Sequence, residues 1–193
     1  KPAASNATEF LKMTECARKN NVSFMEAMLP TTSPNFSVIR RNLSRLGRIR
    51  RYFAAYCQYS SRYDKLQQGD TANVFRTSMS GGATMDIGVY TIYPMVALFG
   101  MPQSINAQGI ILSGGVDGQA AVNMTYHDMN ATVVYSKIAD SYLPSEIEGE
   151  KGNLLMSGIH VIHDVTFIPH RKPMSGQGPE EERQAVGAGI DKS

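Results

Sequence analysis

A carboxylate and a phenol lie four residues apart in the segment GGATMDIGVY, residues 81–90, which otherwise has the composition of a buried helix. Residues four apart on a helix share a face, with Cβ atoms about 5–6 Å apart, so Asp86 and Tyr90 are predicted to lie side by side. A positioned phenol can exchange a proton with a substrate hydroxyl, and a carboxylate can accept a hydrogen bond from a neighbouring hydroxyl of the same substrate. The alternative interpretation is a helix-start carboxylate that stabilises the helix dipole, followed by a core tyrosine.

Mostly helical segments in the first half of the chain must position this pair. The pattern predicts a helix over residues 8–19, a short strand over 22–28, and a second helix that Asn35 caps and Gly47 ends. A long strand follows at 49–59, then an irregular polar loop over 60–80. The helix that carries Asp86 is expected to end at residues 100–102.

The second half is predicted to be a sheet. Segments that alternate or are β-branched lie at residues 105–112, 119–127, 131–137 and 145–156, separated by short turns, and 161–168 adds one more candidate strand. Because helices come first and strands after, we expect an α+β fold: an open, mainly antiparallel sheet with helices on one face. We expect one domain over residues 1–172 and a mobile or truncated tail over 173–193.

Composition excludes several classes of partner. The formal net charge is +2, so no strong field points to nucleic acid, and no apolar run approaches the roughly 18 residues of a membrane span. Cys16 and Cys57 form no CxxC motif, which favours reduced thiols in a cytoplasmic protein. His160 and His163 are three apart on a predicted strand and face opposite sides, so we expect no metal site.

An ordered set of short motifs resembles a known family. The motifs are KP at 1–2, MEAM at 25–28, LGRI at 46–49, GGATMDIGVY at 81–90, LFGMP at 98–102 and IEGEKGNLLM at 147–156. In this order and spacing the chain resembles the second domain of the Gfo/Idh/MocA oxidoreductases, nearest to the dihydrodiol dehydrogenase-like and sugar dehydrogenase branch. Many relatives carry His where this chain has Tyr90.

The resemblance implies a C-terminal domain of the glyceraldehyde-3-phosphate dehydrogenase-like type, with a Rossmann domain that binds NAD or NADP preceding it in the parent protein. In agreement, no GxGxxG fingerprint occurs in this sequence. Lys1 and Pro2 would be the end of the family's Glu-Lys-Pro motif, which joins the two domains, and they are therefore the candidate cofactor contacts. This chain alone is then expected to be inactive.

With that resemblance, Lys1, Asp86 and Tyr90 form the predicted catalytic set. Hydride transfer between a carbinol and a nicotinamide needs a general acid/base for the hydroxyl proton. A phenol ionises well above neutral pH, and a nearby ammonium group favours the phenolate. Tyr90 would exchange the proton, Lys1 would tune it and hold the substrate oxygen, and Asp86 would bind a substrate hydroxyl or orient Lys1.

Further residues are candidates for binding substrate or a second copy of the chain. Asn73, Phe75 and Arg76 lie in the loop just before the glycine pair, where such a domain would contact a sugar, polyol or diol, although an ordinary solvated loop is the alternative. The strands carry apolar residues in both alternation phases, as Val133 and Val134 show. That pattern predicts a sheet buried on both faces and a homodimer through the open face.

Two functions of different classes fit the sequence. The first is the substrate-binding and oligomerising domain of an NAD(P)-dependent oxidoreductase that acts on a sugar, polyol or dihydrodiol. The second is a non-catalytic module that self-associates through its sheet. A preceding strand, GxGxxG turn and helix in the natural chain would distinguish the first from the second.

Overall fold

The computed structural model of this protein describes residues 2–170 and 183–187. The α-helices are α1 (Ala7–Lys19), α2 (Leu29–Thr32), α3 (Pro34–Asn42), α4 (Ser61–Gln67) and α5 (Val89–Phe99). Short 3₁₀ turns occupy Leu43–Leu46, Asn73–Phe75 and Thr77–Met79, and a π-helical turn, Thr84–Gly88, leads directly into α5. The strands are β1 (Ile49–Cys57), β2 (Ser104–Ile111), β3 (Asp117–Thr125), β4 (Asn130–Ser136), β5 (Ser145–Gly149), β6 (Gly152–Met156), β7 (Val165–Pro169) and β8 (Gln184–Ala185).

These strands form one open sheet in the order β2-β3-β4-β1-β5-β6-β7-β8. Neighbours run antiparallel throughout, except that β1 and β4 run parallel. The prediction of an α+β fold with an open, mainly antiparallel sheet is therefore confirmed. The strands from the second half of the chain do not form one continuous meander, because β1 from the first half inserts between β4 and β5.

The main core lies between one face of the sheet and the helices α3 and α5. Along β4, Ala131, Val133 and Tyr135 point into this core, while Thr132 and Val134 lie half-buried on the opposite face. Tyr52 of β1 is fully buried and its hydroxyl donates to the carbonyl of Thr91 in α5 at 3.0 Å. Burial raises the pKa of Tyr52 far above its usual value, so the phenol remains a hydrogen-bond donor to the helix.

Two local predictions are corrected by the structure. Residues 22–28 do not form a strand, because no described strand pairs with them to satisfy their backbone groups. Asn35 is not a helix cap: Ser33 occupies that position, and the buried Asn35 amide donates to the carbonyls of Ile162 and His163 at 2.9 and 2.8 Å. Asn35 thus ties α3 to the loop between β6 and β7.

Other boundaries also differ. The candidate strand at 145–156 is a hairpin of β5 and β6, the loop at 60–80 contains α4, and His160 and His163 lie in a loop before β7. Of the predicted tail 173–193, residues 173–182 and 188–193 lie outside the described residues. The described part, 183–187, contains β8, which pairs with β7.

Close contact with the sheet fixes the start of the helix that carries Asp86. Asp117 of β3 accepts hydrogen bonds from the Thr84 amide at 2.7 Å and from the Thr84 hydroxyl at 2.8 Å. Since that hydroxyl proton goes to Asp117, the Tyr135 phenol 2.8 Å away donates to the Thr84 oxygen. Burial raises the pKa of Tyr135, which keeps this donor protonated.

Two glycines allow that close contact. Gly82 has φ +122°, and a Cβ there would overlap the Asp117 carboxylate. A Cβ at Gly88 would lie only 2.9 Å from the Tyr135 ring. The glycine pair at 81–82 therefore allows tight packing of the helix start against the loop and the sheet.

We predict that Gly82→Ala destabilises the chain by about 2–4 kcal/mol, because it strains the backbone and displaces the capping carboxylate. Gly69→Ala is the matched control: its φ is +89°, but no atom lies within 4 Å of the position that a Cβ would occupy. Urea unfolding of both variants measures the difference. Equal losses would show that the Asp117 contact does not matter.

Candidate active site

The parallel pair β1 and β4 ends where the candidate site begins. Cys57 and Ser136 are paired, and the pairing continues beyond both strands: Gln58 N–H donates to Ser136 O at 2.8 Å and Ser60 N–H donates to Lys137 O at 3.0 Å. In open α/β sheets, ligands bind beyond the carboxyl ends of parallel strands, and β1 and β4 are the parallel pair among the described strands of this sheet. The residues that follow β1 and β4 therefore lie where a site is expected.

Asp86 reaches this region from the π-helical turn and forms an ion pair there. Its Oδ2 lies 2.5 Å from Nζ of Lys137, the first residue after β4. The Lys137 side chain is only 8% exposed and the Asp86 side chain 26%. The π-helical turn at the start of this helix thus carries the carboxylate that the sequence singled out.

Lys137 is the main residue that sequence reasoning missed. Its position directly after the apolar strand segment ATVVYS could have indicated that this lysine is buried, as the last residues of β4 are. A buried lysine is rare unless it is paired, so a carboxylate partner could have been expected. Which carboxylate pairs with it depends on the packing of α5 against the sheet, and no local pattern encodes that.

A cleft of about 360 Å³ lies beside Asp86. The N-terminal segment 2–5 forms one side, and residues of the loop before the helix form the other, including Asn73 and Gly81. The two sides are joined by a 2.6 Å hydrogen bond from the Ser80 hydroxyl to Ser5 Oγ. The structure thus brings together three predicted site residues, Pro2, Asn73 and Asp86, whereas Lys1 lies outside the described residues.

Tyr90 lies on the next part of the same helix and is held in an aromatic group. Its half-buried ring meets Tyr56 edge-on, with centroids 5.7 Å apart and planes at 86°. Tyr56 in turn stacks on His160 at 4.4 Å and 4°. Tyr90 is not among the residues that line the 360 Å³ cleft, so the structure places Asp86 in that wall and Tyr90 beside it.

Two further predicted substrate contacts lie elsewhere in the loop. Phe75 is fully buried and packs with Leu66 and Val116 in a small second core. It supports the loop from inside and does not line the cleft. Arg76 is exposed, and its Nε donates to the carbonyl of Thr71 at 2.8 Å.

A second, polar cavity of about 270 Å³ adjoins the cleft. Arg62 of α4 lines both, and Lys137, Gln58 and Ser60 line the second. The region beyond β1 and β4 therefore combines an acidic group, basic groups and amide or hydroxyl groups. Such a surface suits a small molecule with several hydroxyls.

The described residues contain neither a candidate metal site nor a candidate membrane span. Within residues 2–170 and 183–187, no three His, Cys, Asp or Glu side chains are grouped so that they could hold a metal ion. None of the described helices has the length and apolar character needed to cross a membrane.

Comparison with known proteins gives similarity over most of the chain. The model of the GFO/IDH/MocA C-terminal domain matches residues 42–155. The chain is 47% identical over 160 residues to scyllo-inositol 2-dehydrogenase (NADP(+)) IolU of Bacillus subtilis (strain 168), covering 83% of this chain and 49% of that protein. It is 28% identical over 158 residues to trans-1,2-dihydrobenzene-1,2-diol dehydrogenase of Xenopus tropicalis, covering 79% of this chain and 45% of that protein.

Solved structures share the fold. An NAD binding oxidoreductase from Klebsiella pneumoniae superposes with a TM-score of 0.78 at 18% identity, covering 97% of this chain and 53% of that one. The chain thus spans about half the length of the proteins it matches. The family match over more than half of the sequence, together with the 47% identical relative, shows that this chain belongs to the Gfo/Idh/MocA oxidoreductases and contains their C-terminal domain.

Proposed function

We propose that this chain provides the substrate-binding surface and the proton-transfer group of an NAD(P)-dependent oxidoreductase acting on a CH–OH group of a sugar, polyol or dihydrodiol. The observation that carries the proposal is the ion-paired Asp86 in the wall of a cleft beyond the parallel strands, with Tyr90 following on the same helix. The named activities of the relatives, on scyllo-inositol and on a trans-dihydrodiol, support this substrate class.

In the proposed mechanism the chain's own residues bind the substrate and move one proton. The Asp86 carboxylate accepts a hydrogen bond from a substrate hydroxyl and so orients the ring. Tyr90 takes the carbinol proton during oxidation and returns it during reduction. Lys1, which the resemblance places in the site, would hold the substrate oxygen. NAD or NADP, when bound, exchanges the hydride.

We infer that the cofactor's phosphates are held by a separate N-terminal Rossmann domain. The residues described do not fit a phosphate cradle: Gly81 and Gly82 are packed against Val74 and Asp117, and the Asp117 carboxylate already accepts the Thr84 amide at the helix start. An anion there would meet that negative charge. Pro2, which lines the same cleft as Asp86, would be one of this chain's contacts to the cofactor.

The surface of α1 supports a contact with a separate domain. This 13-residue helix buries none of its residues, although Phe10, Leu11 and Met13 are apolar and exposed. Beyond it, Val22 and Met25 in the irregular segment are 60% and 75% exposed. Exposed apolar surface is typical of an interface, and the proposed Rossmann domain is the partner that would cover it.

We also propose a homodimer through the sheet face opposite the helices. Phe53, Val134 and Leu155 lie on that face, together with ion pairs such as Arg51–Glu148. Both cysteines are free thiols, which supports a reducing, cytoplasmic location.

For the Rossmann domain, we predict that calorimetry of this 193-residue chain with NADH or NADPH detects no binding in the low-micromolar range. The reason is that the residues described offer no cradle for the pyrophosphate. Low-micromolar affinity would show that the cofactor site lies within this chain after all.

For Tyr90, we predict that Tyr90→Phe in the full-length enzyme lowers turnover by about 10²–10⁴, the usual contribution of a positioned acid/base. The ring contact with Tyr56 is retained, so the melting temperature should change little. Tyr90→His should keep more activity, since imidazole also exchanges a proton. Tyr63→Phe, another half-buried tyrosine in contact with an aromatic ring, is the control and should behave as wild type.

The assay is oxidation of inositols, aldohexoses and trans-dihydrodiols with NAD⁺ and NADP⁺. If Tyr90→Phe turns over like the wild type but melts lower, Tyr90 is a core residue whose hydroxyl bond contributes about 1–3 kcal/mol. In that case Tyr90 has no part in the chemistry.

For the dimer, we predict that Phe53→Lys shifts the chain from dimer to monomer in sedimentation at tens of micromolar. A lysine there would place a charge in the proposed apolar contact. Lys12→Glu on exposed α1 serves as a control for a change of charge remote from the sheet. A wild-type chain that sediments only as monomer would count against this interface.

A further inference from the structure

The backbone of Lys137 is held by hydrogen bonds on both sides. Its amide donates to Gly118 O of β3 at 2.8 Å, and its carbonyl accepts from Ser60 N–H at 3.0 Å. Backbone bonds on both sides thus fix the point from which its side chain leaves the sheet. Because the side chain is 8% exposed, the ammonium group has little freedom to move into solvent.

The other charged pairs on the sheet are different. Arg50 and Glu150 form an ion pair in which both side chains are about half exposed, at 45% and 52%. Exposed pairs of that kind contribute little, whereas a buried ammonium carries a large desolvation cost unless a carboxylate partner compensates it. The Asp86–Lys137 pair is therefore a costly arrangement beside the cleft, and a role in holding Asp86 would explain it.

The position of Asp86 also explains why its carboxylate would need a positively charged partner. The π-helical turn brings Asp86 to a partly buried position at the edge of the cleft. A carboxylate there binds a substrate hydroxyl well only if it is ionised and if its oxygens point in a fixed direction. An ammonium 2.5 Å from Oδ2 provides both, because it favours the charged form and fixes the orientation of the carboxylate plane.

We propose that Lys137 is a positioning residue, which acts on the substrate only through Asp86 by holding that carboxylate ionised and oriented toward the cleft. This inference rests on the proposed function, because it assumes that Asp86 binds a substrate hydroxyl. It adds a residue from the opposite side of the site, directly after β4, to a set that otherwise comes from the N-terminus and one helix.

The test is a double-mutant cycle in the full-length enzyme, with the best substrate found in the panel above. Lys137→Met keeps most of the stem and removes the charge, and we expect kcat/KM to fall about 10- to 100-fold, as for a displaced binding group. The loss should fall mainly on KM, since the hydroxyl is bound in ground and transition states alike. In an Asp86→Asn background the same substitution should change kcat/KM less than about threefold.

Two variants complete the design. Lys137→Arg keeps the positive charge and should retain more activity than Lys137→Met, and its comparison with Lys137→Gln carries the test if the Met variant does not fold. Arg50→Met breaks the exposed pair on the same sheet and should leave kcat and KM unchanged.

The outcomes distinguish the role of Lys137 from the role of Asp86. If Asp86→Asn reduces activity but Lys137→Met has no effect, or its loss multiplies with that of Asp86→Asn, the proposal for Lys137 is overturned and the role of Asp86 stands. Wild-type activity in Asp86→Asn would overturn both. A loss in Lys137→Met that vanishes in the Asn background is the result we expect.

Discussion

The site depends on how closely one helix approaches the sheet. Gly82 and Gly88 remove the side chains that would hold the helix away, and the Asp117–Thr84–Tyr135 hydrogen bonds fix its start against β3 and β4. Only at that distance can Asp86 reach the ammonium of Lys137. A shift of the helix by about 1 Å would break a buried ion pair, and leaving one buried charge unpaired is strongly destabilising.

The hydrogen bonds that stabilise the helix start also position the proposed site. The residues that hold the helix start, Asp117 and Tyr135, face the core side of the sheet, while the residue they help to position faces the cleft. The cleft is then completed by the N-terminal segment, which is itself tied down where Ala3 N–H donates to the Glu26 carboxylate at 2.5 Å. The carboxylate that we propose to bind substrate is therefore held in place beforehand, and a group held in this way needs little reorganisation when substrate binds.

Much of this could be predicted from the sequence, for physical reasons. Period-two alternation predicted the bounds of β2, β3 and β4 to within about two residues. The helix end at Gly100 was predictable because glycine readily adopts a positive φ, which is 76° there. The pairing of β1 with β4 could not be predicted, because it joins segments far apart in the chain whose edges carry no local signal. The strand predicted at 22–28 failed for a related reason, since a strand forms only where another strand accepts its hydrogen bonds.

Site prediction was limited in the same way. Asp86 was identifiable because a charge in an apolar helix is costly, but its partner Lys137 lies 51 positions later and is brought near only by the sheet. Phe75 was chosen for its place in the loop, although its burial with Leu66 and Val116 makes it a support for that loop. The order of the short motifs predicted the Gfo/Idh/MocA family, and the comparisons confirmed that prediction.

We propose that Asp86 and Tyr90 face the reacting carbinol. The most direct measurement is a crystal structure of the full-length protein with NAD⁺ or NADP⁺ and a polyol bound. We predict the carbinol oxygen within hydrogen-bond distance of the Tyr90 hydroxyl and a second polyol hydroxyl donating to the Asp86 carboxylate. A polyol bound with neither side chain in contact would contradict this account.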